Sequence, residues 1–459
     1  MANKMESTKD TIAALATPTG LGALAIIRIS GELAKSIVKE VFIPAKNRSL
    51  KPRELQLGWI QIDNKKIDQA MAVYMPSPNS YTGEDIVELH LHGSPAIINL
   101  VLSYIVNQPN TRQAQPGEFT QRAFLNGKID LIQAEAVAEL ISAQNKRSAK
   151  QATQLLNGAL SKQIETLKSQ IISLSAYYIA NLDFSEEDIP SISSVDAKKI
   201  ILTTQDEITL ILQNARHQNI IREGFKVALV GLPNAGKSTL LNSLLGYDRA
   251  LVTDIAGTTR DVLTESITVN GINFVLTDTA GLHNSKDRVE KLGIERTKQE
   301  ITHSDIILLL IEPGKQLDTE KYLSDNGLTT LLNPEKTLVV FSKSDTSLQS
   351  PKKFFTKFST LSINAKDKNL IKSVTDSLQV FTQDIRLDSV TLLTNRQLQL
   401  FRDAKKQLTI LNTLLQNNVS DDIVLVELQS LVEIFNKLSG KQTSTEMISE
   451  VFSNFCIGK

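Results

Sequence analysis

The sequence predicts a multidomain chain in which an α+β amino-terminal domain precedes an all-α domain that is interrupted by a complete α/β domain. Three observations predict it. Short β-like runs broken by Gly and Pro extend to about residue 126, helical periodicity flanks residues 225–381, and within those limits β-branched runs alternate with helix-like stretches. At 459 residues the chain is several times the length of one ordinary core, so roughly three domains are expected.

Taken in order, the strand candidates of the first region, residues 1–126, are Ala23–Ile29, Ala70–Met75 and the alternating Ile86–His92. From Ile129 to Phe184 there is no proline, and apolar residues recur at helical spacing: Leu131, Ala134, Val137, Ala138 and Ile141, then Ile164, Leu167, Ile171 and Leu174. Asp183–Pro190 is an acidic break, after which Val195–Arg222 is helical again, so residues 127–222 form a first helical half. In residues 223–383 the runs Val227–Val230, Asn273–Thr277, Ile306–Ile311 and Thr337–Phe341 are the strands of a wound α/β domain. Helical spacing returns in residues 384–459 through Leu398, Phe401, Leu408, Leu411 and Leu415, then Val424, Leu428 and Leu431. Apolar stripes on both helical halves need cover, which favours one discontinuous helical domain over two separate bundles.

Composition limits the function. With 41% hydrophobic and 22% charged residues and no low-complexity tract, the chain is not a disordered protein. Lys plus Arg and Asp plus Glu each number 50, so no global positive field exists and an RNA partner would need a local patch. Apolar runs such as Ile306–Ile311 fall far short of the roughly 20 residues that span a bilayer. No secretory or transit pattern opens the chain, and a cytoplasmic protein without a membrane partner is expected. The single cysteine, Cys456, excludes an intramolecular disulfide and any zinc site of two or more thiolates.

The strongest motif is Gly231-Leu-Pro-Asn-Ala-Gly-Lys-Ser238, placed between an apolar strand and a helical run. Its glycines let backbone N–H groups converge on phosphates, Lys237 reaches the β and γ phosphates, and Ser238 can ligate Mg²⁺; Asn234, Ala235, Gly236 and Thr239 complete the cradle. Three elements follow in the order a GTPase needs. Thr253, Asp254, Ile255, Ala256, Gly257, Thr258 and Thr259 form a switch loop. Asp278, Thr279, Ala280 and Gly281 follow a strand and face the metal's water shell and the γ phosphate. Ser342, Lys343, Ser344 and Asp345 form the base motif, in which Asp345 accepts guanine N1–H and N2–H₂.

Ser342 stands where Asn is usual and is expected to be too short to span to both base and loop. Asn364, Ala365 and Lys366 form a second base contact, carried mainly by the Ala365 backbone. Leu282 replaces the water-positioning Gln of small Ras-like GTPases, which leaves Glu290 as the acidic candidate against the alternative of a solvated helix face.

Further stretches resemble one family closely and over nearly the whole length. These are Asp10-Thr-Ile-Ala-Ala-Leu-Ala-Thr-Pro, Arg28-Ile-Ser-Gly, Tyr81-Thr-Gly-Glu-Asp-Ile-Val-Glu-Leu, the run from Pro116 to Lys128, Gly257-Thr-Thr-Arg-Asp and the terminal Phe455-Cys-Ile-Gly-Lys459. The chain resembles the tRNA modification GTPases of the MnmE (TrmE) family. The resemblance implies an amino-terminal tetrahydrofolate-binding and dimerisation domain, a discontinuous helical domain and an inserted Ras-like G domain. It implies that Arg28, Glu88, Lys128 and Lys459 contact a tetrahydrofolate derivative in its formyl or methylene form.

It also implies that Asn234, Thr253, Ile255 and Thr258 surround K⁺, that Ser238 and Thr259 hold Mg²⁺, and that Glu290 orients the attacking water through a second water. Cys456 then has three readings: an apolar residue packed beside Phe452 and Phe455, a prenylation site for which Gly458 and Lys459 make a poor signal, and a functional thiol, which the resemblance favours. The implied partners are a second copy of the chain, tRNA and an MnmG (GidA) protein that carries FAD and uses NADH, assembled as a heterotetramer. The implied reaction adds an aminomethyl or carboxymethylaminomethyl group to C5 of the tRNA wobble uridine. A stand-alone assembly switch would leave the Arg28, Glu88 and Lys128 set without use, and a folate-dependent transferase would employ GTP only for regulation.

Overall fold

A computed structural model describes residues 10–46, 49–143, 145–183, 194–215, 218–248, 264–269, 272–278, 288–312, 314–342, 354–364, 370–381, 391–417, 419–453 and 455–459. Its contacts divide into two units. One comprises Met1–Ser142, Ala152–Thr209 and Thr394–Lys459, the other Ala143–Gln151 and Leu210–Leu393.

The first unit begins with β1 (Thr11–Leu15), β2 (Gly22–Ser30), α1 (Ala34–Val41), β3 (Phe42–Pro44), β4 (Gln56–Ile62), β5 (Lys65–Met75), β6 (Ile86–Gly93), α2 (Pro95–Val106), β7 (Thr111–Gln113) and α3 (Glu118–Leu125). The strands form one sheet in the order β3-β4-β5-β6-β2-β1-β7. Alternation along β5 and β6 turns Ala70, Ala72, Tyr74, Val87, Leu89 and Leu91 into the core with Val38, Val41, Val101 and Ile105 of the two helices. The opposite face is left with Glu88 and His90 on β6.

The chain continues through α4 (Leu131–Ser142), α5 (Lys146–Leu156), α6 (Ala159–Asp183), α7 (Ser194–Asn214) and α8 (Gln218–Glu223). The α/β domain then follows as β8 (Phe225–Val230), α9 (Lys237–Asp248), β9 (Thr264–Val269), β10 (Ile272–Asp278), α10 (Arg288–His303), β11 (Ile306–Ile311), α11 (Gln316–Asp325), β12 (Thr337–Phe341), β13 (Ser359–Ser362) and α12 (Leu370–Val380). Its sheet order is β13-β12-β11-β8-β10-β9, parallel except for β9. Every residue of β11 and β12 is buried, as expected for strands covered on both faces.

The chain returns to the first unit in α13 (Asn395–Gln416), α14 (Asp421–Ser439) and α15 (Thr445–Ser453). Helix α13 opens with a capping box in which Thr394 and Gln397 satisfy each other's backbone donors. Helix α14 packs on α6 and α13 through Val424, Leu428, Leu431 and Phe435, and Ile164, Leu167, Ile171 and Leu174 form the buried stripe of α6. Arg396 pairs with buried Glu135 of α4 at 2.7 Å, and Thr394 and Gln397 donate to the same carboxylate. The helical domain is therefore discontinuous, with the α/β domain inserted between its halves.

Candidate functional site

In the α/β unit, parallel pairing aligns the carboxyl ends of the strands. Asp278 of β10 lies opposite Leu229 of β8, and Phe341 of β12 lies opposite Ile311 of β11. The loop from Gly231, the backbone of Asp278, and Ser342 thus emerge along one sheet edge, where ligands of such sheets bind. Gly231 has φ of 152°, and a Cβ there would run into the Leu310 carbonyl oxygen, so the loop can leave β8 only with glycine at this place.

Asn234 adopts the left-handed conformation (φ 65°). Ala235 N–H returns to the Leu232 carbonyl at 3.2 Å, which closes the loop before α9 begins. Lys237 is only 6% exposed, and its ammonium donates to the Gly231 and Leu232 carbonyls at 2.8 and 2.9 Å. Ser238 and Thr239 are exposed in the first turn of α9, whose amino-terminal dipole suits an anion, with the Ser238 hydroxyl at the same end for Mg²⁺.

Ser342 reaches the loop side of the span for which its side chain is short. Its hydroxyl donates to the Ala235 carbonyl at 2.8 Å while the side chain is buried. The reach is possible because Gly236 brings the loop backbone close: a Cβ on Gly236 would lie 3.6 Å from Ser342 Cβ. Asn364 lies half-buried just after β13, where Ile363 N–H bonds the Phe341 carbonyl. Thr253–Thr259, Thr279–Gly281, Lys343–Asp345, Ala365 and Lys366 lie outside the described residues. Glu290 falls in the first turn of α10, and its side chain and that of Asp278 are likewise outside the description.

In the first unit, the sheet register sets Arg28 of β2 directly opposite Glu88 of β6, and Arg28 Nε donates to Glu88 Oε1 at 2.8 Å. The Arg28 guanidinium lies over the rings of Tyr81 and Phe119, at 5.8 and 5.7 Å, and its Nη1 donates to the Gly458 carbonyl at 3.4 Å. His90 beside it and Arg28 hold the Glu88 carboxyl below the usual carboxylate range against the opposing effect of burial. His90 Nε2 lies 3.6 Å from Glu88 Oε2, is buried, and has no hydrogen-bond partner among the described residues.

The carboxy-terminal residues are docked onto this region. Gly117 N–H donates to the Cys456 carbonyl at 3.3 Å and Phe119 N–H to the Lys459 carbonyl at 3.1 Å. Gly458 has φ of 94°, and a Cβ there would strike the Leu15 carbonyl. The Lys128 ammonium donates to the Pro78 carbonyl at 2.9 Å, and its stem passes the turn at Gly83. The reading of Cys456 as a packed apolar residue does not hold, because the residue is exposed while Phe452 and Phe455 are buried without it. An ionised carboxylate, a guanidinium, two ring faces and a buried nitrogen without a partner form a set that suits a 2-amino-4-oxo heterocycle such as a reduced folate.

The profile described as MnmE helical domain matches residues 131–456, and that described as GTP-binding protein TrmE N-terminus matches residues 11–128. The tRNA modification GTPase MnmE of Aquifex aeolicus is 36% identical over 98% of this chain and 100% of its own length. The chain belongs to the MnmE family of tRNA modification GTPases. The relative of the same name in Nitrosomonas europaea is 38% identical over 99% of this chain and 100% of that one. A solved structure of Aquifex aeolicus Era bound to GDP·AlF4⁻ is 29% identical, covers 40% of this chain and 66% of that one at a TM-score of 0.25, and carries no structural argument.

Two features of this MnmE-family chain were not named from sequence. Arg122, 3% exposed, sits among Asp10, Glu84 and Glu118, and Arg112 bridges Asp10 and Glu118. Burial raises the carboxyls of Asp10 and Glu118, but the two guanidiniums outweigh it and leave both below their ordinary values. The second is His90, whose only signal was its place two residues beyond Glu88 on the same strand face. No described helix is long and apolar enough to cross a membrane.

Proposed function

We propose that this protein is a K⁺-stimulated GTPase that acts with an FAD-containing MnmG-type protein to place an aminomethyl or carboxymethylaminomethyl group on C5 of the tRNA wobble uridine. The observation that carries the reading is a phosphate loop capped by buried Lys237 and braced by Ser342, in a chain that matches the tRNA modification GTPases along 98% or more of its length. We assign residues 1–126 to folate binding and dimerisation, 127–222 and 384–459 to the helical domain, and 223–383 to GTP.

In this reading the loop amides of Asn234–Ser238 and the Lys237 ammonium hold the β and γ phosphates, and Asp345 selects guanine. Ser238 and Thr259 hold Mg²⁺, with Asp278 on its water shell. Asn234, Thr253, Ile255 and Thr258 place K⁺, which supplies positive charge beside the phosphates. Glu290 orients the water. Arg28, Glu88, Lys128 and Lys459 bind the folate that supplies the one-carbon unit, and the Cys456 thiol stands exposed beside it; FAD and NADH serve the redox step on the partner.

The test is to mix the purified chain with its MnmG-type partner, tRNA, GTP, Mg²⁺, a reduced folate and an amine donor, in K⁺ and in Na⁺, and to analyse wobble nucleosides by mass. A modified uridine that requires GTP and forms much faster in K⁺ is expected. An unmodified uridine under all conditions overturns the proposal, and equal rates in the two salts overturn the K⁺ assignment.

A further inference from the structure

Glu88 carries two oxygens in different surroundings. Oε1 receives Arg28 Nε at 2.8 Å, and Oε2 faces His90 Nε2 at 3.6 Å, just beyond hydrogen-bond length. Among the described residues His90 Nε2 has no hydrogen-bond partner, and the residues paired with His90 across the sheet are the apolar Ile26 of β2 and Met71 of β5. A buried ring nitrogen without a partner is costly, and a carboxylate shift of a few tenths of an ångström toward it would remove that cost. The terminal torsion of a Glu side chain is otherwise soft, so a carboxylate tied at one oxygen alone is free to turn.

We infer that His90 is a positioning residue for Glu88: with Arg28 on one oxygen and His90 on the other, the plane of the carboxylate is fixed toward the adjacent N–H groups of a reduced folate's pyrimidine ring. The inference rests on the proposal that Arg28 and Glu88 contact folate. Val73 of β5, opposite Glu88, is apolar, and Tyr81 and Phe119 lie against Arg28, so Arg28 and His90 are the charged or titratable groups shown facing the carboxylate. His90 acts through Glu88 and need not touch the ligand.

The experiment compares the full-length protein with its His90→Gln and His90→Leu variants. Calorimetric titration with 5-formyltetrahydrofolate reads binding, and selective ¹³C labelling of glutamate reads the Glu88 carboxyl by NMR without ligand. His90→Leu is expected to bind folate about 10-fold more weakly, the effect of losing one charge-assisted contact. His90→Gln, which keeps an N–H donor, is expected to stay within about 2-fold of wild type. The Glu88 carboxyl should titrate at higher pH in His90→Leu than in wild type.

Wild-type affinity and an unshifted Glu88 titration in His90→Leu would overturn the inference, as would a His90→Gln variant no better than His90→Leu. Absence of folate binding by the wild type would overturn the folate reading instead. In that case the Glu88 titration still decides whether His90 governs the carboxylate.

Discussion

The Ser342→Ala substitution tests the link between the base motif and the phosphate loop. The Ser342 hydroxyl spans 2.8 Å to the Ala235 carbonyl and 3.4 Å to the Ile311 carbonyl, and both Ser342 and Ala235 are buried. Removing the hydroxyl strands a buried carbonyl at a net cost of about 1–2 kcal/mol. Part of that cost falls on the free protein, where the loop relaxes, and part on the complex, where the nucleotide must order the loop again. A loss of guanine nucleotide affinity of about 5- to 10-fold follows, since 1.4 kcal/mol is about tenfold. Titration with a fluorescent GDP analogue in K⁺ and Mg²⁺ measures it, with thermal unfolding as a control for folding. The opposite change, Ser342→Asn, supplies a side chain long enough for both loop and base and should tighten binding. An alanine variant with wild-type affinity would refute the loop brace, and an asparagine variant that binds no better would refute the argument from reach.

Two further outcomes are expected. Gly458→Ala should push the terminal residues off β1, since its Cβ meets the Leu15 carbonyl; hydrogen exchange at the Gly117 and Phe119 amides should then accelerate by about 10-fold or more, and unchanged protection would show that the tail is not held there. The Asp10 and Glu118 carboxyls lie below their ordinary values in the fold, so their stabilisation is complete above about pH 4–5 and is lost as pH falls through the lower folded values. Arg112→Gln should therefore flatten the acid limb of a plot of urea midpoint against pH, and parallel curves for variant and wild type would refute this role of the network.

What was legible in the sequence depended on how local its cause was. The strands of the α/β unit were readable because Ile306–Ile311 and Thr337–Phe341 are buried on both faces and so appear as unbroken apolar runs. The phosphate loop was readable because its glycines, Lys237 and Ser238 act within eight residues. Arg122 was not, because its partners Asp10 and Glu84 lie 112 and 38 residues away and nothing nearby distinguishes it from a surface arginine. Ser342 was judged by the length of its side chain, and what the sequence hid was its distance to the loop, which the backbone at Gly236 sets. The order of the amino-terminal sheet was equally hidden: β7 is three residues long and joins β1 in parallel across most of the domain's sequence.

The same contrast explains why two stretches far apart in the chain are so distinctive. The run from Pro116 and the terminal pentapeptide are read as separate motifs, yet Gly117 and Phe119 donate their amides to the Cys456 and Lys459 carbonyls, and Arg28 donates to the Gly458 carbonyl between them. Each stretch is constrained because it is the other's hydrogen-bonding surface, and Gly458 is constrained because β1 lies directly beneath it. The Cys456 backbone is thus pinned by its own carbonyl and by the residues on its carboxyl side, while its side chain stays exposed. An exposed thiol on a pinned backbone has a defined direction, which a thiol on an unanchored tail lacks. It lies two residues from the carbonyl that binds Arg28, so one guanidinium connects the thiol's segment to the Glu88 carboxylate.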